Sequence, residues 1–270
     1  MSGELELQGL LESGAHFGHQ THKWNPKMKK FVYGEKNGIY IIDLSQTIPM
    51  AKKAYDFLKK VSSEGKPILF VGTKRQASET VRNAAESCGA NHVTHRWLGG
   101  MLTNFATVRK SIKKMQSTDR MIKSDMYKNL AKRERLMISR EQEKLERVLG
   151  GIADLNRLPS ALFVVDVVRE HIAIKEAKRL NIPVFAIVDT NADPNIVDYA
   201  VPANDDAYKS ILLLTTIIGK AIEEGLAERK EEREQAKLQE EENKKRAVDE
   251  GKKPAKAATS KAKANADEEE

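Results

Sequence analysis

Apolar residues follow two different rhythms along this chain, and the change between them marks its organisation. Ile68–Val71, Ala161–Val165 and Val184–Val188 are short, unbroken apolar runs, the pattern of strands buried on both faces of a sheet. Each is followed by a helical stretch, over about Arg75–Cys88, 170–180 and 206–224. Gly72 ends the first run, Gly89 stands where the next helix needs a cap, and Pro183 introduces the last strand. His92–Thr94 reads as one more short strand. This alternation predicts an α/β fold, a doubly wound, mostly parallel sheet covered by helices on both faces.

Other segments keep other periods. Residues 4–13 read as a short helix with Leu5, Leu7, Leu10 and Leu11 apolar and Gly14 placed to stop it. The stretch 16–30 has no regular period and predicts a loop. Residues 31–42 alternate loosely around Gly34 and Asn37–Gly38, which predicts a hairpin. A helix is expected from near Pro49 to about Val61. Between the two halves of the sheet, Leu102, Phe105, Val108, Ile112 and Met115 recur at spacings of three and four. A second helix over 127–149 carries Leu130, Met137, Ile138, Leu145 and Val148, with the polar MQSTDRMIKSD as the turn between them. Two helices with one narrow apolar stripe each predict an antiparallel coiled-coil hairpin that projects from the body.

The expected domains are therefore a discontinuous α/β body over 1–101 and 150–225, a hairpin inserted at 102–149, and a charged, largely disordered tail over 226–270. The tail's first half favours a solvated helix, and its end, KKPAKAATSKAKANADEEE, buries too little to offset chain entropy.

Charge sharpens this picture. Lys and Arg number 46 against 39 Asp and Glu, a net charge of +7. The surplus is concentrated, with +4 in residues 16–30 and +7 in residues 109–149. Positive charge gathered in stripes is the footprint of a phosphate-backbone binder. Cys88 is the only cysteine, which rules out an internal disulfide and a cysteine-based zinc site and fits a reducing compartment. The acidic start, MSGELELQGLLESG, does not resemble a signal peptide. The longest apolar run, Ile211–Ile218, contains two threonines and is far shorter than the roughly 20 residues of a membrane span. A soluble, intracellular protein is expected.

Three constellations invite a chemical reading. Gly72, Thr73 and Lys74 sit between a strand and a helix, where nucleotide enzymes cradle phosphate, but neither a Walker loop nor three spaced glycines is present. Lys74 and Arg75 fit an RNA phosphate or solvent better. His16, His19 and His22 are spaced by three, yet Gly18 and Pro26 break any helix that would align them as metal ligands. Asp166, Asp189, Asp193, Asp205 and Asp206 lie at or beyond strand ends, where a metal-dependent phosphoesterase would hold Mg²⁺. Capping and turn formation, or a structural cation, are the readings set against it.

The most informative stretches are HKWNPKMKK and HRWLGGMLTNF, each with a tryptophan directly after a basic residue. Basic side chains meet phosphates, and an aromatic face stacks on an unpaired base, or else anchors a loop to the body. The candidate RNA contacts are Lys23, Trp24, Asn25, Lys27, Lys29, Lys30, Lys74, Arg75, Arg96, Trp97, Arg109, Lys110, Lys113 and Lys114. No catalytic residue, cofactor or metal is expected.

HFGHQTHKWNPKM (16–28), VGTKRQASE (71–79), HRWLGGMLTNF (95–105), IAIKEAKRLNIPVFAIVDTNADP (172–194) and NDDA (204–207) resemble, in order and spacing, the bacterial small-subunit ribosomal protein two family. The resemblance covers about 5–225 and implies an α/β body with an inserted coiled-coil hairpin. It also implies a non-enzymatic structural role on the cytoplasmic ribosome, on the solvent side where head and body of the small subunit meet. Its implied partners are small-subunit ribosomal RNA and neighbouring small-subunit proteins, among them the large, multi-OB-fold ribosomal protein one. Membrane, DNA and self-association are not implied. It gives Lys23, Trp24, Lys27, Arg96 and Trp97 a presumption of RNA or structural contact. The Lys/Ala/Glu-rich extension past about 226 is not part of the shared pattern. A coiled-coil adaptor that binds an acidic protein instead of RNA is the remaining alternative.

Overall fold

A computed structural model describes residues 6–251. Five parallel strands form its central sheet: β4 (Ile68–Val71), β5 (Asn91–Val93), β6 (Ala161–Val165), β7 (Val184–Val188) and β8 (Tyr199–Pro202), in the order β5-β4-β6-β7-β8. Strand alternation divides the apolar residues between two cores. Leu69, Val71, Leu162, Val164, Val184, Ala186 and Val188 point into one. Ile68, Phe70, Ala161, Phe163, Val165, Phe185 and Ile187 point into the other. The second is closed by α1 (Leu7–Glu12), α2 (Leu44–Ser63), α3 (Arg75–Ser87) and the start of α8 (Tyr208–Gly251). The first is covered by α7 (His171–Arg179) and by residues of α4 (Phe105–Ile122) and α6 (Lys132–Leu149). The α/β, mostly parallel sheet expected from the apolar runs is the fold observed.

Between α4 and α6 lies the short α5 (Asp125–Lys128). α4 and α6 touch one another. Lys114 of α4 pairs with Glu141 of α6 at 2.6 Å, and Tyr127 Oη donates to the Arg135 carbonyl. Ile112, Met115 and Leu149 are buried in the same apolar cluster as the sheet residues, whereas Met121, Leu136 and Met137 are exposed. The pair is thus rooted in the body's core at one end.

Boundaries moved where side-chain chemistry outweighs period. α2 begins at Leu44, before the expected Pro49, because Asp43 caps it by accepting from the Ser45 amide at 3.0 Å and from Gln46 Nε2 at 2.8 Å. Pro49 is inside the helix. α4 continues through most of the polar stretch expected as a turn, and α6 starts only at Lys132.

Ahead of the parallel sheet is a three-stranded antiparallel one, β1 (Phe17–Gln20), β2 (Val32–Lys36) and β3 (Ile39–Ile42), in the order β1-β3-β2. Asn37 and Gly38, at φ 54° and 73°, make the tight turn between β2 and β3. This small sheet meets the carboxyl ends of the parallel strands. The Asn25 amide donates to the Thr190 carbonyl at 2.9 Å, the His19 amide to Thr190 Oγ1 at 2.8 Å and the Asn204 amide to the Ala15 carbonyl at 3.1 Å.

Two units divide after Ala227. α8 packs Ile211, Leu214, Ile218 and Ile222 against the body, and its course from Glu228 to Gly251 lies in the second unit. The expected disorder at 252–270 lies outside the described residues.

Candidate nucleic-acid interface

In the order β5-β4-β6-β7-β8 the winding direction reverses between β4 and β6, so their carboxyl ends open the crevice where α/β enzymes place ligands. In this chain that crevice is filled by its own side chains. Lys74, just after β4, reaches Asp205 at 2.7 Å, Asp206 at 2.6 Å and Asp166 at 3.5 Å. Beside it, Thr73 donates through its amide (2.9 Å) and its hydroxyl (2.5 Å) to Glu170 Oε1, and Arg169 Nε donates to Thr73 Oγ1 at 3.0 Å. His19 of β1 enters from the other side, with Nδ1 3.1 Å from Asp189 and Nε2 3.3 Å from Asp206.

Four carboxylates thus face one ammonium and one imidazole, and the excess of negative charge draws protons in. The hydrogen bond from His19 to Asp189 outweighs burial of the ring and, with the charges of Asp189, Asp205 and Asp206, raises the His19 pKa above its ordinary value. Burial, reinforced by Asp189 and Asp166 and opposed by Lys74, pushes Asp205 up to about 7. Burial works against the charged form of Lys74, but its aspartate partners prevail and raise it. A folded state that binds protons at Asp205 and His19 which the unfolded chain has released loses stability as pH rises. Stability contributed by His19 is complete below about pH 6.5 and fades through its raised value, and that of protonated Asp205 fades through about 7. Chemical denaturation should therefore show wild type about 1 kcal/mol less stable at pH 8 than at pH 6.5, with Asp205→Asn removing most of that difference. A flat profile for wild type would show that the cluster does not titrate in this window.

The histidine triplet does not converge. His16 lies tilted against Phe17 with ring centroids 4.0 Å apart, His22 is exposed, and among the described residues only His19 of the three meets acidic groups. One donor atom each from His19, Asp205 and Asp206 lies within 4.8 Å of the others, a set of suitable types for a divalent cation. Lys74 Nζ already meets both aspartates of that set.

Trp97 is buried, and its indole Nε1 donates to Glu176 Oε1 at 3.1 Å. The same carboxylate, buried on α7, accepts from the amides of Gly100 (2.7 Å), Leu102 (3.0 Å) and Thr103 (3.0 Å), and from Thr103 Oγ1 (3.1 Å). Burial alone would raise the Glu176 pKa. The donors on Thr103, Gly100, Trp97 and Leu102 outweigh it and hold the group below the usual range. Gly100, at φ 87°, takes the left-handed turn that brings its amide to the carboxylate. One glutamate therefore ties the entire 97–103 segment to α7.

Of the residues expected as RNA contacts, Lys74 is half-buried and paired with aspartates, and Trp97 is buried on Glu176. Trp24 is half-buried, tilted on Tyr40 at 5.1 Å between ring centroids. Asn25 Oδ1 accepts from the Lys27 amide at 3.0 Å and starts the turn over Pro26–Phe31. Lys27 pairs with Asp193 at 2.5 Å. Lys30 lies 4.8 Å from the Phe31 ring centre. Arg109 is turned inward, donating to the Leu155 carbonyl at 2.8 Å and to Asn156. Lys23, Lys29, Lys30, Arg75, Arg96, Lys110 and Lys113 are exposed, as is Lys114 beside Glu141. Among the described residues, the exposed cations other than Lys27 and Lys114 in this set form no ion pair.

The profile of the ribosomal protein S2 family matches residues 10–225, four fifths of the chain. The chain belongs to the ribosomal protein S2 family. Similarity to individual members runs nearly end to end. The small ribosomal subunit protein uS2 of Cytophaga hutchinsonii is 57% identical over 249 residues, 92% of this chain and 98% of that protein. The protein of the same name from Corynebacterium urealyticum is 52% identical over 265 residues, 98% and 96% of the two chains. That from Corynebacterium jeikeium is 54% identical over 233 residues, 86% and 84%. Membership of the S2 family makes this a small-subunit ribosomal protein, a structural component of the ribosome and not an enzyme. That place is cytoplasmic in bacteria. Among the described residues no helix is long and apolar enough to cross a membrane.

Proposed function

We propose that the protein is a scaffold of the small subunit that grips ribosomal RNA on three surfaces: the 16–30 segment, the region around Arg96, and the cationic faces of α4 and α6. In this reading residues 102–149 act as the inserted coiled-coil hairpin, the body spans 1–101 and 150–225, and 226–270 is an appended tail. Lys110 and Lys113 on α4, exposed and without an ion pair among the described residues, carry the reading. Long cationic side chains with no internal partner are stabilised by an external polyanion. Lys23, Lys29 and Lys30 supply the same chemistry on the 16–30 segment, where Trp24 and Asn25 set their position. Lys27, Arg109 and Lys114 stand partly satisfied and contribute less.

Contacts to neighbouring small-subunit proteins, ribosomal protein one among them, and a part in subunit assembly belong to the same proposal. They are supported by family membership and by the apolar side chains exposed on α1, Leu7 and Leu11. Followed across a gradient of cell lysate at low ionic strength, the protein should travel with small subunits at about one copy each. Free migration would overturn the proposal. Nuclease treatment separates it from a purely protein-binding adaptor, because only the adaptor's contacts survive digestion.

A further inference from the structure

We propose that a cleft between the 95–98 loop and α6 receives one unpaired nucleotide of single-stranded RNA, its base on Leu98 and Val148 and its phosphates on Arg96, Arg140 and Lys144. The inference rests on the RNA-binding reading above and deepens it by naming a site and a ligand.

The cleft measures about 500 Å³, within the roughly 300–1,000 Å³ typical of small-ligand sites. Its composition divides in two. Leu98, 37% exposed, and half-buried Val148 offer an apolar surface. Arg96, Arg140 and Lys144 offer exposed cations with no ion-pair partner among the described residues. The one acidic group in the lining, Glu143, is already held by Arg147 at 2.9 Å, so three positive charges stay uncompensated. On α6 the positions 140, 144 and 148 recur at four-residue spacing, which aligns two cations and the valine along one helix face.

Both walls are tied into the fold. One is a continuous helix. The other is the chain leading into Trp97, whose indole and following amides are fixed on Glu176. A preformed apolar shelf ringed by cations discriminates among polyanions. Duplex RNA presents phosphates and sugar but keeps its bases stacked inside, leaving Leu98 and Val148 uncovered. An unpaired residue presents a flat base and a charged backbone together, which match the shelf and the rim. Acidic peptide would satisfy the rim alone.

The test uses the full chain bound to small-subunit ribosomal RNA, with base and ribose reactivity read at each nucleotide. Wild type should suppress the reactivity of an unpaired nucleotide that Leu98→Asp restores to its free-RNA level while other protections persist. The double variant Arg140→Gln/Lys144→Gln should lose the same protection, and the slope of log affinity against log salt should fall by about 1.4–1.8. The double variant Lys110→Gln/Lys113→Gln should weaken binding and keep that nucleotide protected. Leu98→Asp with an unchanged protection pattern overturns the cleft and leaves the wider RNA reading intact. Wild type that protects no nucleotide at any salt overturns the wider reading, and the cleft with it. Nuclease-resistant capture of an acidic protein, abolished by Arg140→Gln/Lys144→Gln, would assign the rim to that partner and sink the nucleotide.

Discussion

Glu176→Ala should destabilise the body by on the order of 4 kcal/mol, because it strands three backbone amides and the Trp97 indole around a vacated buried site. In a body of this size that is a fall in Tm of about 8–16 °C. Glu176→Gln keeps one carbonyl oxygen in place of two charged ones and should fall between Ala and wild type. The pH dependence distinguishes a carboxylate clamp from simple packing. A carboxyl held below its ordinary value contributes stability present above the unfolded pKa, near 4.3, and lost as pH falls through the folded one. Wild type should lose that contribution on acidification below about pH 4.5, while the Gln variant has none to lose. Thermal unfolding followed by Trp97 fluorescence in a Trp24→Phe background checks both. Equal acid sensitivity in wild type and Gln variant would refute the clamp.

Lys110→Gln, Lys113→Gln and Arg120→Gln combined should cut affinity for small-subunit ribosomal RNA by about 10²-fold near 0.1 M salt. The slope of log affinity against log salt should fall by about 2–3 at the same time, one phosphate contact for each lost cation. All three side chains are exposed on α4, and none forms an ion pair among the described residues. Folding should therefore be untouched, with a circular dichroism spectrum and Tm matching wild type. Lys114 is left in place because its contact with Glu141 makes its loss ambiguous. An unchanged salt slope would remove α4 from the contact surface.

The strands that proved easiest to read are those whose environment is simplest. β4, β6 and β7 are apolar at every position because each is covered on both faces. β1 escaped notice because Phe17–Gln20 is a partly exposed strand with two polar positions, held by cross-strand pairing with β3 and not by burial. β8 escaped because it is four residues long and ends in Pro202 at the sheet's edge, where a missing amide costs nothing. Among candidate contacts, the sequence identified cations and tryptophans by type, and type does not reveal partners. Lys74 meets Asp205 from 131 positions away, and Trp97 meets Glu176 from 79. Glu176 itself carried no local sign, since a single glutamate in KEAKR reads as helix surface. Arg140 and Lys144 looked like any solvated charges on α6 until the fold set Leu98 opposite them.

The small antiparallel sheet has a consequence for the order in which this chain acquires its shape. Its anchors lie at Thr190 and Asn204, more than 160 residues downstream of His19, Asn25 and Ala15. During synthesis the amino-terminal segment, with its lysines and histidines, leaves the exit tunnel long before the strand ends that will receive it exist. It must wait undocked until nearly the last of the parallel strands has emerged, so closure of the sheet's carboxyl edge is a late event in folding.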